Sequence, residues 1–366
     1  MNLNRRMFTA GTATTLGLWS LGQPVLAGGG HDVPPLDVGV NLAGPEFGTH
    51  SPQFSQANPG TLGRDYTFNS RQTVQYFYDH GVKSFRIPIA WERLQPQLQG
   101  ELDVVYFGGL QKLLSWITDV GGNAILDLHN YGRYRLSVDG RPLEVVLGEK
   151  QGGKVLLSVD DLADVWRRIA QQLRGHYSIA AYGIMNEPHD LQGLDWAAAS
   201  NQVVAAIREV DQQRWISVSG NDWATSKRFA EVNGESAWIN DPAQRTIYEA
   251  HAYFDSDASG KYADSFAEEA KLDPQIAGRP SRTLDPFLNW CQQNQVYGFV
   301  GEIGVPNEPQ WLELLAEACR LIHRAKAAVG YWAAGEWWGD YRLSVQPKSF
   351  DAPLPAQMKT VVTNMQ

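Results

Sequence analysis

Residues 158–188 read SVDDLADVWRRIAQQLRGHYSIAAYGIMNEP, and two periodicities follow one another in that stretch. Ser158-x-x-Asp161 is the pattern of a capping box, in which each side chain satisfies a backbone N–H of the other. Leu162, Val165, Trp166, Ile169 and Leu173 then recur at helical spacing on one face, and Gly175 marks the end. The run Ala181-Tyr182-Gly183-Ile184-Met185 follows, apolar on both faces, and stops abruptly at Asn186-Glu187-Pro188. An amphipathic helix feeding a strand apolar on both sides is the repeating unit of a parallel sheet covered by helices.

The same unit recurs along the chain. Further short apolar runs span 38–42, 82–89, 124–129, 215–219, 246–251, 297–302 and 330–334. Between them, Asn69-x-x-Gln72 reads as another capping box with Gly81 as its stop, and Leu110, Leu113, Leu114 and Ile117 keep a helical period ahead of Gly121. Eight β-then-α units without a linker predict one (β/α)₈ TIM barrel over residues 28–366, with its active site at the C-terminal ends of the strands.

Composition narrows the class. The chain has 366 residues, 43% of them hydrophobic and 19% charged, the balance of a globular protein with a large core. A net charge of −9 repels phosphate backbones and argues against nucleic-acid partners. The 13 Trp either fill the core or offer flat faces for stacking on sugars. Residues 1–27 read as an export signal that is removed: Arg5-Arg6 of the twin-arginine kind, an uncharged run from Thr9 to Leu21, and Val25-Leu26-Ala27 before the cut. The protein is therefore expected in the periplasm or secreted, as a monomer without a membrane anchor. Cys291 and Cys319 flank the seventh strand, on what should be neighbouring outer helices. They are expected to lie close enough for a disulfide, the other reading being two buried thiols.

Polar residues gather at the strand ends. The second strand carries Arg86, the third ends at His129-Asn130, and the fourth at Asn186-Glu187. The fifth leads to Trp223, the sixth carries His251 and Tyr253, the seventh ends at Glu302, and the eighth carries Trp332. Glu187 and Glu302 are the pair of interest. Cleaving a glycosidic bond needs a proton donor for the leaving oxygen and a second carboxylate opposite it. Arg86 would keep Glu302 ionised, and repulsion would keep Glu187 protonated. Glu46, Glu92, Glu308 and Glu336 read instead as loop or helix-start residues. Trp91, Trp337 and Trp338 either line subsites or pack loops. Asp255-Ser256-Asp257 lacks the remaining ligands of a calcium loop, so no metal and no cofactor are expected.

Six motifs in order resemble the endo-β-1,4-glucanases of glycoside hydrolase family 5. They are Phe85-Arg86-Ile87-Pro88, Leu126-Asp127-Leu128-His129-Asn130-Tyr131, Tyr182-Gly183-Ile184-Met185-Asn186-Glu187-Pro188, Tyr248-Glu249-Ala250-His251-Ala252-Tyr253, Val300-Gly301-Glu302, and Trp332-Ala333-Ala334-Gly335. The resemblance implies a retaining cleavage of β-1,4-glucan, with Glu187 as acid/base and Glu302 as nucleophile. It implies that Arg86 and Tyr253 contact the nucleophile and that His129, Asn186 and His251 hold the sugar or tune the acid. Trp332 would stack beneath that sugar, and Trp223 matches a family aromatic after the fifth strand. Two departures leave the polysaccharide open: Gly301 stands where fungal members often have Thr, and Ala252 where many have Gln. A β-mannanase or a mixed-linkage β-glucanase is the alternative within the family. A non-catalytic glycan-binding barrel would be expected to lack one of the two glutamates, and both are present.

Overall fold

The computed structural model describes residues 33–366, so the export signal expected over residues 1–27 lies outside the described residues. Eight strands form the barrel: β1 Val38–Leu42, β2 Ser84–Ile89, β3 Asn123–Leu128, β4 Ile179–Gly183, β5 Trp215–Ser219, β6 Thr246–Ala252, β7 Tyr297–Ile303 and β8 Ala328–Ala334. Each pairs in parallel with its successor, and β8 closes onto β1. The connecting helices are α1 Arg71–Asp79, α2 Val104–Val120, α3 Val159–Leu173, α4 Trp196–Arg208, the short α5 Phe229–Asn233, α6 Arg279–Asn294, α7 Pro309–Arg324 and α8 Ala356–Asn364. After β3 the chain makes an excursion through an antiparallel hairpin, Arg133–Val138 with Arg141–Val146.

The helix starts are built as their chemistry requires, with one change of position. Ser158 and Asp161 form the reciprocal capping box of α3. The cap of α1 is Ser70, not Asn69: the Ser70 hydroxyl accepts from Thr73 N, whereas Asn69 is buried and donates to Ala43 O at 3.2 Å. Asn69 is thus spent on tying the α1 entrance to the end of β1. Gly121 ends α2 in the left-handed region at φ 78°, where a side chain would be strained. Trp166 on the buried face of α3 donates its indole N–H to Ile184 O at 2.8 Å. That bond fastens an outer helix to the chain just past β4. The strand itself ends at Gly183, two residues earlier than the apolar run suggests. Asn186 and Glu187 therefore stand on a loop, and Glu187 adopts φ 42°. Left-handed conformations in non-glycine residues concentrate at functional sites.

The barrel interior is layered, as the alternation of strand side chains demands. Ile125, Ala181, Trp215, Ile247 and Phe299 form an apolar cluster separate from the main core. Two residues further along the same faces stand Asp127, Gly183, Ser217, Glu249 and Gly301, a ring of acids and small residues. The main core lies between strands and helices and absorbs Trp91, Trp166, Trp290 and Trp311 entirely. Much of the tryptophan excess is core filling.

The expected disulfide is absent: Cys291 and Cys319 are free and buried. Each thiol is turned inward onto the barrel. Cys291 Sγ abuts Gly298 of β7, 3.0 Å from where a Cβ there would stand, and Cys319 is fully buried in the main core. Neighbouring helices were correctly anticipated, but both cysteines lie on the faces that meet the sheet. Burial raises both thiols, Cys319 to about 12. We predict that a thiol reagent such as dithionitrobenzoate titrates neither cysteine in the native protein and both after unfolding. A reductant should leave the melting temperature unchanged.

Candidate active site

Arg86 on β2 is 1% exposed and stands at the centre of the polar layer. Its guanidinium donates to Asn41 Oδ1 at 2.9 Å, Glu302 Oε1 at 3.1 Å and Asn186 Oδ1 at 2.7 Å. It also pairs with Asp127 Oδ1 at 3.0 Å and, through Nε, lies 3.0 Å from Glu249 Oε1. A cation removed from water at such cost persists only with partners of this kind. Asn41 is itself held by Nδ2 contacts to the carbonyls of Gly301 and Tyr331.

Glu302 receives a second bond from Tyr253, whose hydroxyl donates to Oε2 at 2.7 Å. Glu187 meets His251 instead, with Oε1 2.6 Å from Nδ1. His251 Nδ1 is also 3.6 Å from Glu302 Oε2, and its Nε2 is 3.3 Å from Glu249 Oε1. One carboxylate oxygen each of Glu187 and Glu302 and one ring nitrogen of His251 all lie within 4.8 Å of one another. The two glutamates are therefore close neighbours with different environments: Glu302 faces Arg86 and Tyr253, Glu187 faces an imidazole and is partly open to solvent. Burial pushes the Glu302 carboxyl up and Glu187 adds to this, while His251 and Arg86 oppose it.

The two histidines differ in the same way. His129 Nδ1 contacts Asp127 at 2.7 Å, Nε2 meets the Tyr131 hydroxyl at 3.1 Å, and the ring lies parallel to Trp332 with centroids 5.3 Å apart. Burial lowers His129 to about 3. Burial acts on His251 too, but Glu302, Glu187 and Glu249 outweigh it and raise the group to about 10.

Every expected site residue is at this mouth except Trp223, which stands on its rim. Trp332 is 9% exposed and meets Trp338 edge-on. Trp223 is 49% exposed, stacks on His189 with centroids 3.4 Å apart, and lines a cleft of about 900 Å³ with Tyr131, Glu187, His251 and Tyr253. Asp222, Trp223 and Ala224 are consecutive left-handed residues, braced where Asp222 pairs with Arg228 and Ser226 N donates to His251 O at 3.1 Å. The remaining acids take structural roles. Glu92 accepts from Asn130 and Arg135 N, Glu336 from Ser70 N and Thr73, and Glu46 from Gly44 N. Trp91 is core, and Trp338 packs on Phe47 and Tyr341.

Sequence reasoning left Asp127, Glu249, Asn41 and Ser217 without roles. A signal was available for the first two. Asp127-x-His129 and Glu249-x-His251 each place a carboxylate two residues before a histidine on a strand, hence on the same face.

A parallel barrel that closes around two facing carboxylates, one held by an arginine and a tyrosine and the other by a histidine, defines a glycoside hydrolase. The profile of the family Cellulase (glycosyl hydrolase family 5) matches residues 40–337, and the chain belongs to that family. A probable endo-β-1,4-glucanase B of Aspergillus kawachii is 30% identical over 319 residues, covering 84% of each chain. An endo-β-1,4-glucanase A of Emericella nidulans is 29% identical, covering 85% of this chain and 87% of its own. Among solved structures, the Pseudomonas stutzeri endoglucanase Cel5A in complex with cellobiose is 34% identical with a TM-score of 0.77, covering 90% of this chain and 92% of that one.

The opposed shifts of the two histidines give a pH signature. His251 is raised from its ordinary 6.5 to about 10, so its contribution to stability is full below 6.5 and is lost as pH climbs through 10. His129 is depressed from 6.5 to about 3, so the unfolded chain binds the proton first and stability falls as pH drops below 6.5. Against burial, Arg86 and His251 lower Glu249 from 4.5 to about 2, and stability falls again across that window. We predict that ¹⁵N shifts at neutral pH show His129 neutral and His251 protonated. Replacing His251 by Gln should flatten the alkaline loss of stability, and replacing His129 by Gln the acid loss that begins near 6.5.

Proposed function

We propose that the protein is an exported endo-β-1,4-glucanase that cleaves internal bonds of soluble or amorphous β-glucan with retention, Glu302 being the nucleophile and Glu187 the acid/base. The observation that carries this reading is the spacing and asymmetry of the pair. An inverting pair keeps about 6.5–9.5 Å between its carboxyls to admit a water, whereas a retaining pair stands about 5–5.5 Å apart. Here an oxygen of each carboxylate falls within 4.8 Å of the other. The names of the relatives support the β-1,4-glucan substrate, and the pattern of residues 1–27 supports export. Among the described residues no helix is long and apolar enough to cross a membrane.

The steps follow from the contacts. Arg86 and Tyr253 hold one oxygen each of Glu302, fixing the carboxylate that attacks the anomeric carbon. The C1–O bond breaks as a glycosyl ester forms, and the departing O4 takes the proton of Glu187. Glu187 Oε1 stands 2.6 Å from His251 Nδ1 in the resting site. In the second half, water gives a proton back to Glu187 and its oxygen bonds to C1, releasing Glu302 as carboxylate. Asn186 is buried and its Nδ2 has no protein acceptor, an orphan donor that a sugar hydroxyl reaching it would satisfy. Trp332 supplies an apolar floor for the ring C–H face, and Trp223 a second face further along the cleft.

Reducing-end release with falling viscosity on carboxymethylcellulose, beside mannan and xylan, tests the substrate. Hydrolysis confined to mannan would refute it. We predict that Glu302→Ala is nearly inert on β-glucan. Glu187→Ala should lose about 10²–10⁴ of kcat/KM, and much less on a dinitrophenyl cellobioside that needs no proton. Azide should give an α-glycosyl azide with Glu302→Ala and a β-glycosyl azide with Glu187→Ala. The reverse pattern would exchange the roles.

A further inference from the structure

β6 and β7 pair Ala250 with Val300 and next His251 with Glu302, which leaves Gly301 as an extra residue in β7. A bulge of this kind re-aims the side chain beside it, and here it sets Glu302 alongside His251. A Cβ on Gly301 would stand 2.0 Å from Glu249 Oε1. The Glu249 carboxylate therefore fills the space that a side chain at 301 would need. It is buried and accepts from the Ser217 hydroxyl at 2.6 Å. Its other neighbours are Arg86 Nε at 3.0 Å and His251 Nε2 at 3.3 Å. Those two groups are the partners of Glu302 and Glu187.

We propose that Glu249 is a positioning residue for the proton delivered by Glu187: it engages Nε2–H of His251, so that Nδ1 is the atom exchanging a proton with Glu187, and it offsets the charge of Arg86. The role of the proton rests on the retaining mechanism proposed above, while the wiring does not. The charged and titratable groups facing this pair from elsewhere in the barrel are Arg86 on β2, Asp127 on β3, His129 just beyond it, Glu187 beyond β4 and Glu302 on β7. Glu249 is the carboxylate opposite the Nε2 side of the ring, and Glu187 and Glu302 lie on the Nδ1 side. Without Glu249 the proton on His251 has carboxylates on one side only, and the ring loses the contact that fixes which nitrogen faces Glu187. The elevated position of His251 is consistent with this arrangement.

Glu249→Gln is the direct test. The amide can keep its oxygen toward Arg86 and His251 and donate its NH₂ to Ser217, so the charge alone is removed. We expect the ¹⁵N titration midpoint of His251 to fall by about one pH unit or more, and the alkaline limb of kcat/KM to move with it. The loss should appear in kcat more than in KM. It should be larger on cellobiosides with poor leaving groups than on the dinitrophenyl cellobioside. Glu249→Asp keeps the charge at a greater distance and should show the same changes, smaller. The proposal is overturned if a folded variant of either kind leaves the His251 midpoint and the pH limb at wild-type values, or loses activity equally on good and poor leaving groups. The titration needs no substrate, so a wild-type enzyme inactive on β-glucan would strike the functional reading and leave the wiring to be decided by the midpoint.

Discussion

A single buried guanidinium sets the conditions for everything else at the mouth of this barrel. Arg86 touches residues from β1, β3, β6 and β7 and from the loop after β4. Withdrawing such a charge from water costs several kcal/mol, and losing one partner of a buried pair leaves about 3–5 kcal/mol uncompensated. The surrounding strands must therefore present acids and amides at fixed heights, and Asn41, Asp127, Asn186, Glu249 and Glu302 do so. Stability and chemistry are coupled at this point: the group that keeps Glu302 in place is also the cation that requires it.

The neighbourhood of Arg86 also explains why two glutamates so close together stand in different surroundings. Glu302 is enclosed and shares its cation with two further carboxylates, Asp127 and Glu249. Glu187 stands on a strained loop residue, partly wet, and touches a titratable ring instead of a permanent cation. In the proposed mechanism the proton is delivered on the side whose partner can itself gain and lose one. The bulge at Gly301 makes the two sides meet, because without the extra residue Glu302 would not lie beside His251.

Much of this was legible in the residues. The capping box and apolar face of α3 announced a helix, and the polar stops after apolar runs announced strand ends and placed Arg86, Glu187, His251 and Glu302 at one mouth. What was not legible depends on distant neighbours. Glu249 and Gly301 occupy a common space, yet they are far apart in sequence and belong to different strands. Nothing local to Gly301 says that a carboxylate needs its missing side chain. The disulfide expectation failed because adjacency of helices does not say which way a side chain faces. The apolar spacing could have corrected it: Cys291 follows Phe287 by one turn and Cys319 follows Leu315, so both fall on the stripe that meets the sheet. Trp223 and Trp166 are equally prominent in composition, and one stands on the rim while the other is core.

The bond from the Trp166 indole to the carbonyl of Ile184 makes the outer wall a stakeholder in the chemistry. Glu187 lies three residues beyond Ile184, so a shift of α3 would carry through this bond toward the Glu187 side chain. Redesigning α3 to harden the barrel would therefore bear on the placement of Glu187, the acid/base of the proposed mechanism. In that mechanism, a substitution on α3 would act on turnover from outside the cleft.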